Sequence, residues 1–137
     1  MEETEYGHDG RSFARYDNTL LSRAAERGME IELTRFPIKD ISVTTPARMQ
    51  RILRWIDDQI AAGRPVYVHC RGGVGRTGTV VGCWLARHGI AIGDQALRHI
   101  DALRAQTANR AHPSPETDAQ CAMVRGWRPL QGGETPC

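Results

Sequence analysis

Apolar residues recur at helical spacing in several segments of the chain. The clearest segment begins at Thr45, a favoured N-cap residue, with Pro46 at the first helical position. Its apolar positions, which must share one buried face, are Met49, Ile52, Leu53, Ile56 and Ile60. Gly63 ends this helix. The other predicted helices run from Asp17 or Asn18 to Gly28, from Arg76 to Gly89, from about Asp94 to Ala105 with Leu103 facing inward, and from Ser114 to Trp127.

Two other segments are typical of strands. The residues from Met29 to Phe36 alternate apolar and polar side chains at period two, which predicts a strand with one solvent-facing side. The run Pro65–His69 is short and rich in β-branched and aromatic residues, which predicts a strand buried on both faces. The order of elements predicts one α/β domain over residues 1–137, with a short, mainly parallel sheet flanked by helices. We expect residues 1–16 and 129–137 to be flexible.

The composition is that of an ordinary globular protein: 40% of the 137 residues are hydrophobic and 25% are charged. Lys plus Arg is 18 and Asp plus Glu is 16, a formal net charge of +2, so bulk charge does not support binding to nucleic acid or to a membrane surface. No segment approaches the roughly 20 apolar residues that a membrane span needs. The first residues lack the basic and apolar parts of a signal peptide. We therefore expect a cytoplasmic protein with no nucleic-acid partner and no membrane span.

The four cysteines, Cys70, Cys83, Cys121 and Cys137, are spaced too widely for zinc-ribbon or thioredoxin-like motifs. Reduced thiols are therefore expected rather than a disulfide framework. A zinc site built from Cys70, Cys83 and histidines further along the chain would lack any close pair of ligands. We expect no metal and no cofactor.

The connection between the predicted strand at Pro65–His69 and the predicted helix from Arg76 carries the chemistry. Glycines at positions 72, 73 and 75 bring many backbone N–H groups into one concavity at the positive end of the helix dipole, and such a nest binds an oxyanion. Residues 73–78 also satisfy the dinucleotide pattern G-x-G-x-x-G, but no clear strand ending in an acidic residue follows about twenty residues later. The nucleoside triphosphate loop is excluded, because no lysine precedes Thr79.

Cys70 and Arg76 lie at the two ends of this connection, which we call the phosphate loop (residues 70–76). The loop amides and the start of the helix favour thiolate over thiol, which predicts a pKa for Cys70 well below the free value of roughly 8.5. The guanidinium of Arg76 can grip two phosphate oxygens at once. A nucleophile, an anion cradle and a clamp therefore converge on one phosphoryl group.

The run His69–Gly78 reads His-Cys-Arg-Gly-Gly-Val-Gly-Arg-Thr-Gly. It resembles the signature loop of the cysteine-based protein tyrosine phosphatase superfamily, in particular its dual-specificity branch of the bacterial or archaeal type. The resemblance extends from about residue 29 to residue 127, so the chain looks like a member that is shortened at its N-terminus.

Two further segments extend the resemblance. Phe36–Asp40, with Pro46 nearby, is similar to the mobile acid loop of the family, although Lys39 stands where many relatives have a second proline. Ser114–Thr117 followed by Gln120 is similar to a segment near the active site of bacterial relatives.

The resemblance implies a mechanism through a cysteinyl-phosphate. The catalytic residues that it implies are Cys70 as nucleophile, Arg76 as phosphate clamp, Asp40 as general acid, Thr77 as donor to the departing thiolate and His69 as a residue that orients the loop. The substrate-binding residues that it implies are Arg71, Gly72, Gly73, Val74, Gly75, Arg76 and Gln120, with Gln120 positioning water. No metal is implied, because the cavity supplies the positive charge.

The implied function is hydrolysis of phosphotyrosine, and also of phosphoserine and phosphothreonine, in a phosphorylated protein or a small phosphomonoester substrate. Inositol phosphates or phosphoinositides are alternative substrates, although such relatives tend to carry extra basic residues inside the loop and only Arg71 is available here. A non-catalytic module that binds phosphorylated residues is the alternative from another class.

Two structural questions stay open at this point. Cys83 is either a buried small residue, the favoured interpretation, or a redox partner of Cys70. A two-stranded sheet is thin, so either residues 1–16 add to it or a partner completes it, which makes a homodimer worth testing.

Overall fold

The computed structural model describes residues 5–7 and 9–129. The chain divides into two compact units, residues 1–37 and residues 38–137. The single domain expected from the sequence stays a prediction. Within the described ranges, none of the helices combines the length and the apolar character that crossing a bilayer requires.

The described part of the first unit includes a short hairpin. Tyr6 and Ser12 form an antiparallel bridge, and Gly10, at φ +72°, lies in the turn between them. The flexibility expected for residues 1–16 stays a prediction. Residues 1–4 and 130–137, which belong to the segments predicted to be flexible, lie outside the described residues.

Helix α1, Asp17–Glu26, follows the hairpin. Its N-cap is Tyr16, so Asp17, one of the two predicted caps, is the first residue inside the helix. The Asp17 carboxylate accepts a hydrogen bond from the guanidinium of Arg35, and an acidic residue in the first turn suits the helix dipole. Gly28, at φ +65°, follows the helix as predicted.

The two segments predicted as strands, residues 29–36 and 65–69, are not assigned as strands. The parallel sheet is therefore not confirmed. A strand prediction rests on the side-chain pattern, whereas a strand also needs a hydrogen-bonded neighbour, which the pattern does not supply. The expected burial of residues 65–69 on both faces is wrong, because Tyr67 is 86% exposed.

The second unit contains, among the described residues, helices α2 (Pro46–Ala61), α3 (Gly75–Arg87), α4 (Asp94–Arg104) and α5 (Asp118–Gly126). Helix α3 contacts each of the other three, and α4 also contacts α5. The approach is close because Gly82 has no side chain: a Cβ atom there would lie 2.7 Å from the Val124 methyl groups and 3.0 Å from Cδ1 of Ile100. Helix α3 is therefore central to the packing of this unit.

The prediction for α2 is confirmed at its start and along most of its length. The Thr45 hydroxyl caps the helix by accepting a hydrogen bond from the N–H of Arg48 at 3.2 Å. The buried residues of α2 are Met49, Ile52, Leu53, Ile56 and Gln59. The expected burial of Ile60, and of Leu103 in α4, is wrong, since they are 49% and 60% exposed. Both lie in the last turn of their helices, and a helix face is buried only over the length that its neighbours cover.

Asp57 joins α2 to the end of α3. Its carboxylate accepts hydrogen bonds from Nε1 of Trp84 at 2.9 Å, from Nε of Arg87 at 2.8 Å and from Nε2 of His88 at 2.8 Å. Burial alone would raise the pKa of Asp57, but the bonds from His88, Arg87 and Trp84 outweigh burial and lower it.

Helix α5 begins later than the predicted start at Ser114. The N-cap is Thr117, and Thr117 and Gln120 form a capping box in which each side chain binds the other residue's backbone N–H. The Ser114 hydroxyl instead donates a hydrogen bond to the carbonyl oxygen of Val74 at 2.8 Å. Ser114 therefore contacts the phosphate loop rather than capping a helix.

Candidate active site

The phosphate loop leads from a buried cysteine into helix α3. Cys70 is 8% exposed, and Val74 is the N-cap of α3. Gly73 has φ +66°, a conformation that glycine adopts without steric cost. The loop thus lies at the N-terminus of α3, where the backbone N–H groups and the helix dipole favour an anion.

Several donors surround the sulfur of Cys70. Burial alone would raise the pKa of the Cys70 thiol, but hydrogen bonds from the Thr77 hydroxyl and from the backbone N–H groups of Thr77 and Gly73, together with the positive charge of Arg76, outweigh burial and lower the pKa. Among the described residues, the buried Thr77 hydroxyl has no partner at hydrogen-bonding distance and angle. Its lowering effect on the Cys70 pKa points to the sulfur as the acceptor of its proton.

Two carbonyl groups of the phosphate loop are bound from outside the loop. The Gly72 carbonyl accepts a hydrogen bond from Nδ2 of Asn109 at 2.8 Å, and the Val74 carbonyl accepts one from the Ser114 hydroxyl at 2.8 Å. Because a trans peptide is planar, its N–H points away from its C=O. Holding these carbonyls outward therefore turns the following N–H groups toward the inside of the loop.

The guanidinium of Arg76 is held by the segment that carries Asp40. Arg76, at 4% exposure, donates to the Ile38 carbonyl at 3.1 Å and pairs with Oδ1 of Asp40 at 2.8 Å. Ile41, the next residue, has φ +49°, which a β-branched side chain rarely adopts. The structure thus brings Asp40, Arg76 and, through the sulfur environment, Cys70 into one site.

Gln120 lies behind the loop rather than at an open surface. It is 0% exposed; its Oε1 accepts from the N–H groups of Glu116 and Thr117 at 3.0 and 3.2 Å, and its Nε2 donates to the Ser42 carbonyl at 3.1 Å. A direct contact with substrate would require these bonds to open. In this arrangement the side chain links α5 to the segment that carries Asp40.

The remaining predicted site residues differ in exposure. Arg71, Gly72 and Gly73 are exposed, whereas Gly75 is buried. His69 is half-buried, and its Nδ1 lies 3.1 Å from the carbonyl oxygen of Cys70, an acceptor that calls for the Nδ1–H tautomer.

Residues 17–130 match the family model described as the DSP-PTPase phosphatase domain of the Swiss Army Knife proteins. The chain belongs to this family of dual-specificity, cysteine-type phosphatases. The match includes the whole phosphate loop, Asp40 and helix α5.

The curated relatives of this phosphatase domain match it over part of its length. The uncharacterised protein MJECL20 of Methanocaldococcus jannaschii is 38% identical over 65 residues, which are 47% of this chain and 44% of that protein. Protein 067L of Invertebrate iridescent virus 3, which is named as a candidate tyrosine phosphatase, is 39% identical over 57 residues. These residues are 37% of this chain and 23% of the viral protein. The chain thus spans less than half of the length of these relatives.

The phosphatase domain is also similar to a solved structure. The crystal structure of Tk-PTP in the active form aligns with a TM-score of 0.57 and 25% sequence identity, and the alignment covers 88% of this chain and 71% of that chain. The fold is therefore phosphatase-like.

Sequence reasoning missed some residues that hold the phosphatase domain's loop. Nothing in the sequence marks Asn109, which is 37 positions away from its partner Gly72. Thr79, whose hydroxyl donates to the Gly75 carbonyl at 2.8 Å, could have been found, because this is the local bond from a helical threonine to the carbonyl four residues earlier.

Cys83 lies in the core of the phosphatase domain. The residue is 0% exposed, and burial raises the pKa of its thiol to about 12. These two properties favour the interpretation as a packing residue over that of a redox partner for Cys70.

Proposed function

We propose that this domain hydrolyses phosphotyrosine, and also phosphoserine and phosphothreonine, through a cysteinyl-phosphate intermediate. The observation that carries the proposal is the environment of one thiol: Cys70 has a lowered pKa and lies in a glycine-rich loop at the start of a helix, beside the buried cation of Arg76. Such an environment stabilises both a thiolate and a bound oxyanion.

In the first step, the Cys70 thiolate attacks phosphorus, so that an S–P bond forms and the bond from phosphorus to the leaving oxygen breaks. Asp40 supplies the proton that the leaving oxygen takes. Arg76 and the loop N–H groups bind the three other phosphoryl oxygens, over which the charge of the transition state is spread.

In the second step, water attacks phosphorus and the S–P bond breaks. Asp40, now ionised, accepts a proton from that water, and inorganic phosphate leaves. The departing thiolate accepts a hydrogen bond from the Thr77 hydroxyl, a role that the lowering effect of Thr77 on the Cys70 pKa supports.

The remaining residues position the reacting groups. His69 fixes the carbonyl of Cys70 through its Nδ1. Gln120 holds the Asp40 segment through the Ser42 carbonyl, and we propose that it acts in this way rather than by touching substrate. Arg71, which is exposed, is the candidate contact for groups that flank the phosphate.

The experiment is hydrolysis of para-nitrophenyl phosphate in EDTA by the wild type, Cys70→Ser and Cys121→Ser. Cys121 is a matched control because it lies in the same unit, on α5, and its hydrogen bond is to Pro115 rather than to the loop. We expect turnover by the wild type and by Cys121→Ser. Cys70→Ser should bind phosphate or vanadate without turnover.

The other outcomes decide against parts of the proposal. Turnover by Cys70→Ser would exclude Cys70 as the nucleophile. Oxyanion binding without turnover by any variant would indicate a module that binds phosphorylated residues. A comparison of phosphotyrosine, phosphoserine and phosphothreonine peptides with inositol phosphates, at equal enzyme concentration, then separates the protein substrates from the alternative class.

A further inference from the structure

In the phosphate loop, the peptide between Gly72 and Gly73 is the one whose rotation the neighbouring side chains restrict least. Both residues lack a side chain, and Gly73 has φ +66°. A Cβ atom at Gly73 would meet nothing within 4 Å, and one at Gly72 would meet only Cγ2 of Val74 at 3.8 Å. Because glycine populates many backbone conformations, such a peptide can rotate unless another group holds it.

Asn109 supplies that group. It lies in the segment between α4 and α5, and its Nδ2 donates to the Gly72 carbonyl at 2.8 Å. The Thr107 hydroxyl helps to orient the amide from its other side: its single proton is shared between the Arg104 carbonyl at 2.8 Å and Oδ1 of Asn109 at 3.1 Å. The oxygen accepts and the nitrogen donates, so the side chain has one favoured orientation toward the loop.

The backbone around Asn109 is also fixed. Arg104, the last residue of α4, donates from NH2 to the Asn109 carbonyl at 3.0 Å and from NH1 to the His112 carbonyl at 2.7 Å. A bidentate guanidinium of this kind holds both ends of a short turn. A continuous set of hydrogen bonds thus runs from the end of α4 to the phosphate loop.

These hydrogen bonds affect the surroundings of the Cys70 sulfur. With the Gly72 carbonyl held outward, the planar peptide directs the N–H of Gly73 the opposite way, and this N–H is among the groups that lower the pKa of the Cys70 thiol. We propose that Asn109 is a positioning residue of the phosphatase, which acts through the Gly72–Gly73 peptide to aim the Gly73 N–H at the Cys70 sulfur and at the bound phosphoryl group. The proposal rests on the proposed function only for its effect on turnover.

The test compares Asn109→Ala, Asn109→Asp and Thr107→Val with the wild type. Gln106→Ala is the matched control, because Gln106 is an exposed amide residue in the same segment. The readouts are the pH profile of Cys70 alkylation by iodoacetamide, followed by peptide-resolved mass spectrometry, the Kd for inorganic phosphate, and kcat and KM for para-nitrophenyl phosphate.

We expect Asn109→Ala to move the alkylation profile to higher pH and to weaken phosphate binding by about two- to tenfold, the value of one hydrogen bond. Asn109→Asp should have the larger effect, because its carboxylate repels both the Gly72 carbonyl and the bound anion. Thr107→Val should act in the same direction and less strongly. Gln106→Ala should match the wild type.

Unchanged alkylation profiles and phosphate affinities in Asn109→Ala and Thr107→Val would overturn the proposal, even if both variants melted at lower temperature. If Asn109→Ala does not fold, Thr107→Val decides by the same two readouts. A wild type that hydrolyses no phosphomonoester, combined with a shifted alkylation profile in the variants, would overturn the proposed function and leave the positioning role supported.

Discussion

Asp40 and Arg76 form an ion pair at 2.8 Å in which the arginine side chain is 4% exposed and the aspartate side chain 55% exposed. The pair joins the proposed general acid to the proposed phosphate clamp. A bound phosphoryl group and the Asp40 carboxylate are both anionic acceptors for the same guanidinium, so the two compete for it. Substrate binding should therefore release the Asp40 carboxylate from Arg76, and Asp40 can serve the leaving oxygen as an acid once it has taken up a proton.

Asp40→Asn should bind vanadate or phosphate more tightly while it turns over more slowly. The substitution removes the negative charge that competes for Arg76, and a half-exposed pair is worth about 1 kcal/mol or less, which corresponds to a gain in affinity of about two- to fivefold. Isothermal titration with vanadate and a kcat measurement check the two effects. Asp58→Asn, at an exposed position of α2, is the charge-matched control and should change neither.

The same variant tests the acid role with a series of aryl phosphates. The rate of Asp40→Asn should fall most for leaving groups of high pKa, because these need the proton most. An equal loss across the series would count against Asp40 as the acid. A loss of vanadate affinity in Asp40→Asn would contradict the competition for Arg76.

The three cysteines within the described residues should react with iodoacetamide in a fixed order. The pKa of Cys70 is lowered, burial raises that of Cys83 to about 12, and burial raises that of Cys121. Since the thiolate is the reactive form, Cys70 should be alkylated ahead of Cys83 and Cys121 at about pH 7. Mass spectrometry of the peptides gives the three rates separately, and preferential labelling of Cys83 would contradict the assignment.

Thr77→Val should raise the pKa of Cys70, because it removes the hydroxyl that donates to the sulfur. The alkylation profile should therefore move to higher pH. Thr117→Val is a control for loss of a threonine hydroxyl, since Thr117 caps α5. Such a cap is worth about 1 kcal/mol of stability, so this control should lower the melting temperature with no shift in the profile. A Thr77→Val profile equal to that of the wild type would exclude the hydroxyl as a donor.

The helices could be predicted from the sequence because each carries its own period and its own end signals. Thr45 with Pro46 marks the start of α2 correctly, and Gly28 marks the end of α1. The predicted start of α5 is wrong. Ser114 and Thr117 are both favoured cap residues, and the sequence does not show that the Ser114 hydroxyl donates to the Val74 carbonyl instead of capping the helix. The strands could not be predicted in the same way, because a strand must pair with another segment that lies far away in the sequence.

The candidate site also contains residues that could be predicted from the sequence and residues that could not. Cys70 and Arg76 lie within one loop, so their spacing alone predicts that they meet. Asp40 was found only through the resemblance, because nothing local indicates that its carboxylate reaches Arg76. Asn109 was not found at all, because its bond joins a side chain to a main-chain oxygen, and any residue can offer that oxygen.

Asp57 should make the folded state sensitive to acid. Its pKa is lowered in the folded protein, so its contribution to stability is present above its unfolded pKa of about 4 and is lost as the pH falls through the lower folded value. Asp57→Asn should be less stable by about 1–3 kcal/mol at neutral pH, because it loses charge-assisted bonds to Arg87 and His88. Urea unfolding of the wild type and the variant should converge as the pH falls below about 4. Asp58→Asn should follow the wild type, and a constant gap would show that the Asp57 charge is not involved.

Gly75→Ala should destabilise the domain where Gly72→Ala does not. A Cβ atom at Gly75 would lie 2.9 and 3.0 Å from the two amide heteroatoms of Gln120, and 2.9 Å from a carboxylate oxygen of Glu116. Glu116 is exposed and can move, but Gln120 is fully buried and held by backbone groups on both of its ends. The clash must therefore displace the loop or break those bonds.

We expect Gly75→Ala to lose about 1–3 kcal/mol in urea unfolding, the usual range for an added methyl in a packed site. Its kcat should fall as well, since Gln120 connects the loop to the Asp40 segment through the Ser42 carbonyl. Gly72→Ala places its Cβ 3.8 Å from Val74, an ordinary contact, and should unfold within about 0.5 kcal/mol of the wild type. Gln120→Ala in the Gly75→Ala background separates a clash with Gln120 from a cost that arises elsewhere in the loop. If the clash with Gln120 is the cause, the double variant should be less destabilised than the sum of its single substitutions; strict additivity would place the cost elsewhere in the loop.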